Sequence, residues 1–357
     1  MALCLTASLF LAGNAMAAGV EDILDTKSLI EELPPSAEEF IPPGTPHTLP
    51  EPGILREIGD RILAKLGEEW RSVSRTAGML LLVCLLYSIS RAVDTGDKVA
   101  RYVTLSAVAA VGSVSMADLD SFLQLGLRSM QELSDYSRVL LPVLTTAASV
   151  SGAATSAAAK YAATALAMDV LLTVSKSVVI PCVGGYAALA LADAAVGNDV
   201  LKAAKKLMKW VCVSLSSAIA AGFTAWLSLT GVIAGTTDTL AARMTKTAVS
   251  TALPVLGSIL SDAAGSLAAA AGVLRSSIGV FGLCAVLGIC LGGAVPLALR
   301  YFVFKLSAAV CSCLSDKRMG DLIGDLGTCF GLILAVNGAG GMMMFVSVFS
   351  LMRTVTL

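Results

Sequence analysis

LGTCFGLILAVNGAGGMMMFVSVFSLM, residues 326–352, is long enough to cross a membrane and carries no charged side chain. A helix needs about 20 predominantly apolar residues to traverse the hydrocarbon core, where an unsatisfied backbone group finds no water to bond. Residues 210–234 and 276–299 form two further charge-free runs of this kind. Shorter apolar runs at 76–90, 102–117, 139–159 and 177–192 reach crossing length once flanking residues with snorkelling side chains are included. Across the 357 residues, 56% are hydrophobic and 14% charged, with a mean hydropathy of +0.81, well outside soluble usage. The expected fold class is all-α, a polytopic integral membrane helical bundle. The 25 basic and 26 acidic residues leave a formal charge of −1, which gives no net basic field for a phosphate backbone and disfavours nucleic acid as a partner. Membrane lipid is the expected surrounding.

The amino-terminal residues 1–18, MALCLTASLFLAGNAMAA, read as a signal peptide: an apolar core from Leu3 to Ala12, then the small-x-small pattern Ala15-Met16-Ala17. Cleavage there leaves the mature amino terminus extracytoplasmic; the alternative is a short helix that stays attached. Residues 19–53 are acidic and proline-rich and read as an extended extracytoplasmic spacer, with seven of the eleven prolines in 33–53. Residues 54–75 place Ile54, Leu55, Ile58, Ile62, Leu63, Leu66 and Trp70 at helical spacing among charges, the pattern of an amphipathic interfacial helix. Residues 76–138 are expected to hold two transmembrane helices followed by an outer loop helix at 118–138.

The four remaining prolines suggest an internal duplication. Leu141-Pro142-Val143-Leu144 recurs as Leu253-Pro254-Val255-Leu256, and Pro181 is matched by Pro296 at a similar offset. Two units of the same orientation follow, residues 139–234 and 250–352, each with about four apolar elements, the first two of which either cross or form a re-entrant hairpin. Chance similarity between Ala-rich helices is the competing explanation. With an external amino terminus, Arg91, Lys98, Arg101, the lysines at 202–209 and Lys317-Arg318 fall on the cytoplasmic side, in partial agreement with the positive-inside rule, since Lys176, Arg243 and Lys246 fall outside or near the outer face.

Chemistry-bearing residues are scarce. No Walker A, GxSxG, HExxH or paired-carboxylate motif occurs, so catalytic, cofactor-binding and metal-binding residues are all expected to be none, and the chain is read as not an enzyme. His47, the single histidine, lies in the proline-rich stretch as a solvated linker residue, and the nine cysteines include no CxxC pair. Charges at membrane depth are costly and by default face protein or water. Candidate pathway or packing residues are therefore Asp169, Lys176 and Asp262, with Arg300 and Lys305 beside them in the second unit. Structural pairing between helices and an ion or substrate relay are both open to these groups. Asn337 with Gly338, Gly340 and Gly341 either lets a neighbouring helix approach closely or breaks the last helix at a gate. Pro142 and Pro254 complete the set.

A signal sequence, a proline-rich outer segment, an amphipathic helix and a polytopic domain with twin LPVL elements resembles the stage III sporulation protein AE family of endospore-forming bacteria. The resemblance covers about 54–352 and rests on residues 140–144 with the Ala/Ser run after them, on 253–256, and on the glycine-rich stretch 337–341. It implies a subunit of the complex linking mother cell and forespore, in the mother-cell membrane around the forespore. It implies as partners the other stage III A sporulation proteins, including a separate ATPase and a ring-forming AG protein, and stage II sporulation protein Q. It carries no catalytic residues. The rival readings from the residues themselves are an autonomous secondary transporter of a small solute and a purely structural scaffold.

Overall fold

The computed structural model describes residues 33–38, 54–92, 97–150, 154–252 and 256–352. All of its elements are helical: α1 (Pro35–Glu38), α2 (Ile54–Ala92), α3 (Asp97–Val150), α4 (Ala154–Val174), a π-turn (Ser175–Val179), α5 (Ile180–Val196), α6 (Asp199–Ala252), α7 (Leu256–Leu314) and α8 (Lys317–Met352). Six helical stretches among the described residues are long and apolar enough to cross a membrane, counting α4, the π-turn and α5 as one. That fits a multi-pass membrane protein.

Reversals set the arrangement. Helix α5 ends at Gly197, whose φ of +75° is the left-handed cap that glycine adopts without strain, and whose N–H donates to Asp193 O at 2.7 Å. A Cβ there would sit 3.2 Å from Arg318 Nη2 at the start of α8, so the α5–α6 and α7–α8 turns lie at the same end. The end of α2 joins them. Ser88 Oγ donates to Leu314 O at 2.8 Å, and Tyr87 and Arg91 reach Asp316 at 3.3 and 3.7 Å. At the opposite end, buried Lys160 on α4 donates to Ser350 O at 3.0 Å, and Thr164 meets Ser347 at 2.5 Å. The α4–α5/α6 and α7/α8 hairpins therefore run in the same sense, both turning at the end that carries Arg91, Lys202, Lys205, Lys317 and Arg318.

Glycine lets α7 and α8 pack along their length, the most extensive helix contact of the fold. Gly327 lies against Phe304, Gly331 against Tyr301 and Gly341 against Cys290; small residues at such crossings admit the close approach from which membrane helices gain their van der Waals energy. Exposed apolar residues then ring the outside, among them Leu82, Leu86 and Ile89 on α2, Phe302 and Leu306 on α7, and Met342 and Phe349 on α8. They form the lipid-facing surface.

Several expectations need correction. The amphipathic segment 54–75 and the crossing after it are one helix, α2, and the segment 118–138 is no separate loop helix but the middle of α3. The reason is an internal partner for its charge, since Asp118 is bonded by Arg300. Residues 33–38 do not extend freely. Pro35 supplies the preset first-turn φ of α1, Ala37 is fully buried, Ser36 donates to Glu132, and Gly292 on α7 leaves room for the turn. The duplication is not displayed by the element order. Residues 139–234 divide among the end of α3, α4, the π-turn, α5 and part of α6, whereas 250–352 hold the end of α6 and two unbroken helices. Pro181 follows the π-turn, in which Ile180 N–H bonds five residues back to Ser175 O, a local widening that accommodates the missing proline donor. Pro296 sits inside continuous α7. The expected signal peptide and most of the spacer, with His47, lie outside the described residues, as does Pro254.

Candidate functional site

Besides the Lys160, Thr164 and Ser347 contacts at the opposite end, polar groups gather at three levels of the bundle. The innermost pairs Asn337 on α8, 3% exposed, with Ser129 on α3: the amide Nδ2 donates to Ser129 Oγ at 3.2 Å, and that hydroxyl donates to Ile289 O of α7 at 3.3 Å. Gly293 makes room, because a Cβ there would lie 2.6 Å from Asn337 Nδ2. A polar tie thus crosses three helices where apolar side chains surround it.

Nearer the basic end, Arg300 on α7 is 4% exposed and gathers α2 and α3. Its Nη1 donates to Asp118 Oδ2 at 2.8 Å, Nη2 donates to Ser72 Oγ at 3.0 Å and stands 3.9 Å from Glu69, and the guanidinium lies 4.0 Å over the Phe122 ring. Thr76 Oγ1 adds a bond to the same Asp118 oxygen at 3.0 Å. A planar cation so held is a lock between helices.

The third level is a vestibule of about 570 Å³ at the basic end, walled by α5, α6, α7 and α8. Lys205 on α6, mostly buried, bridges Asp193 on α5 at 2.8 Å and Asp325 on α8 at 2.5 Å, and Tyr186 donates to Asp325 Oδ1 at 2.7 Å. Lys202, Lys206 and Lys209 of α6 and Lys305 of α7 line the remainder, with Asp321. An adjoining hollow of about 170 Å³ extends to Gly197, Lys317 and Arg318. Wide, charged and open, this is the feature most suited to a polar ligand or partner.

The residues singled out from the sequence are dispersed. Asp169 pairs with Arg138 of α3 at 3.0 Å on the exposed surface, not with Lys176, which sits exposed in the π-turn. Asp262 lies on α7, its side chain outside the described residues, and Pro142 lies inside α3. Helix α8 runs unbroken through 337–341. Gly340 is approached by Leu171 and Leu133 and Gly341 by Cys290, while Gly338 faces open space. Sequence reasoning missed Asp193 and Asp325. Each is an aspartate within a largely apolar stretch, and Asp325 follows Asp321 at the i,i+4 spacing that puts both on one helix face.

A family model described as stage III sporulation protein AE matches residues 52–354. Among curated proteins, the chain is similar to the stage III sporulation protein AE of Bacillus subtilis (strain 168), 22% identical over 182 residues, 51% of this chain and 46% of that relative. The aligned chain thus spans just under half the length of the curated relative. No solved structure matches.

Proposed function

The chain belongs to the stage III sporulation protein AE family, and from that membership we propose that it is a non-enzymatic membrane subunit of the complex joining mother cell and forespore, acting as a channel or export-platform component. The observation that carries this is the reach of the family match: 52–354 takes in all six crossing helices and the vestibule. In this reading the basic end is cytoplasmic, because lysine and arginine collect there. The external end then holds the mature amino terminus, and the membrane is that of the mother cell around the forespore. Without a nucleotide-binding motif in its sequence, the subunit draws energy from a separate ATPase and works beside the other stage III A sporulation proteins, the ring-forming AG protein and stage II sporulation protein Q. The Asn337–Ser129 and Arg300–Asp118 ties hold the bundle, and the vestibule is the cytoplasmic docking face.

The test is an affinity-tagged full chain expressed at native level in sporulating cells. The complex, ATPase included, should co-purify in detergent, and deleting the chain should arrest forespore development. Gradient-driven solute uptake by the purified protein in liposomes, with no co-purifying partner, would instead identify an autonomous transporter.

A further inference from the structure

Charge in the vestibule is unevenly committed. Asp193 and Asp325 are engaged by Lys205, and Lys202 is held by Asp199 at 2.9 Å. Lys206 and Lys209 have no ion-pair or hydrogen-bond partner among the described residues. Lys305 donates to two neutral acceptors, Gly324 O at 2.7 Å and Thr328 Oγ1 at 2.9 Å, and its nearest counter-charge, Asp325, is already bridged by Lys205. Five lysines stand against three aspartates on the wall, and with Asp199, which holds Lys202, counted as well, the surplus is one positive charge.

Exposed apolar residues lie beyond the lining of the cleft at helical spacing from its lysines. Lys202, Lys206 and Lys209 share one face of α6, and Val213, 49% exposed, continues that face one turn farther from the basic end. On α7, Phe302, 68% exposed, lies one turn beyond Lys305 in the same direction. Trp210, 65% exposed, stands beside Lys209, and an amphipathic ring of this kind settles at headgroup depth. The cleft lies between α6 on one side and α7 with α8 on the other. A soluble anion needs cations alone. Cations followed at greater depth by two apolar walls match a molecule with both a phosphate and an acyl chain.

We infer that the cleft between α6 and the α7–α8 hairpin binds an anionic phospholipid, its phosphate on Lys206, Lys209 and Lys305 and an acyl chain along Val213 and Phe302. Basic pockets between membrane helices bind such headgroups. The site depends on membrane insertion and not on the sporulation reading.

Native mass spectrometry of the purified full chain tests it, titrating phosphatidylglycerol, phosphatidylcholine and inorganic phosphate. Phosphatidylglycerol should be retained on the order of tenfold more strongly than phosphatidylcholine. Lys206→Gln/Lys209→Gln/Lys305→Gln should abolish that preference, and Lys176→Gln, at a lysine outside the cleft, should leave it intact. Lys209→Gln alone, at an exposed position free of ion pairs, should cut the preference severalfold and serves if the triple variant fails to fold. Equal retention of the two lipids, or a preference that survives the triple substitution, overturns the inference. Displacement of phosphatidylglycerol by inorganic phosphate at equal concentration also overturns it, showing a free-anion site.

Discussion

Arg300 and Asp118 are 182 positions apart in sequence, and their side chains meet at 2.8 Å with the guanidinium 4% exposed. The pair explains why α3 stays helical through a polar stretch, since its acidic residue bonds inside the bundle and needs no water. Removing Arg300 leaves Asp118, 26% exposed, with Thr76 still donating to it, and removing the Asp118 charge leaves Arg300 beside Glu69 at 3.9 Å, so each loss is about 1–3 kcal/mol. Arg300→Met should therefore lower the thermal unfolding temperature in detergent sharply, and Asp118→Asn should do so as well. Combining Arg300→Met with Asp118→Leu should recover much of the loss. A double variant no better than the sum of the two single losses would show that the residues act independently.

Lys205 stands between two carboxylates, and its removal takes away the cation that bridges Asp193 and Asp325 directly, leaving Lys202 and Lys305 as more distant counter-charges. Lys205→Met should destabilise the basic end by about 3 kcal/mol, read as faster proteolysis near the α5–α6 turn. Adding Asp325→Asn removes one of the opposed charges and should restore resistance in large part. Failure of that second substitution to help would mean that Lys205 acts through packing of its stem.

Gly293 is the space into which Asn337 and Ser129 project. Gly293→Val places branched carbon where the amide and hydroxyl now sit, and overpacking of this kind costs about 1–3 kcal/mol. The measured melting temperature should fall, and more than for Gly338→Val on α8, where the added carbon meets open space. Equal losses at the two positions would locate the effect in helix propensity instead of packing.

The helices were legible where the lipid requirement acts on each segment alone. The run 326–352 contains no charge, so its crossing follows from composition, and α8 covers it. Partnership was not legible, because Asp118, Asp193 and Asp325 acquire meaning only from Arg300 and Lys205 on other helices. The glycines at 340 and 341 signalled close approach without saying to what, and only the fold supplies Leu171 and Cys290. Matching prolines did not by themselves show a duplication, since Pro181 follows a π-turn and Pro296 lies in an unbroken helix.

The bundle also fixes which positions share a side of the membrane. Lys205, Lys317 and Arg318 line one adjoining hollow, and α6 carries the chain from there, so that Thr236 lies about 55 Å along the helix axis from Asp199. That distance exceeds the hydrocarbon thickness of roughly 30 Å. Single cysteines introduced at 206 and 317, in a background with the exposed Cys313 changed to serine, should be shielded from a membrane-impermeant maleimide in intact cells and labelled after lysis. Cysteine at 236 should react when the chain is expressed in intact vegetative cells, where an impermeant reagent reaches the outer face of the membrane. Labelling of 206 and 317 from opposite sides is incompatible with two hairpins that turn at the same end, because Gly197 and Arg318 then could not touch.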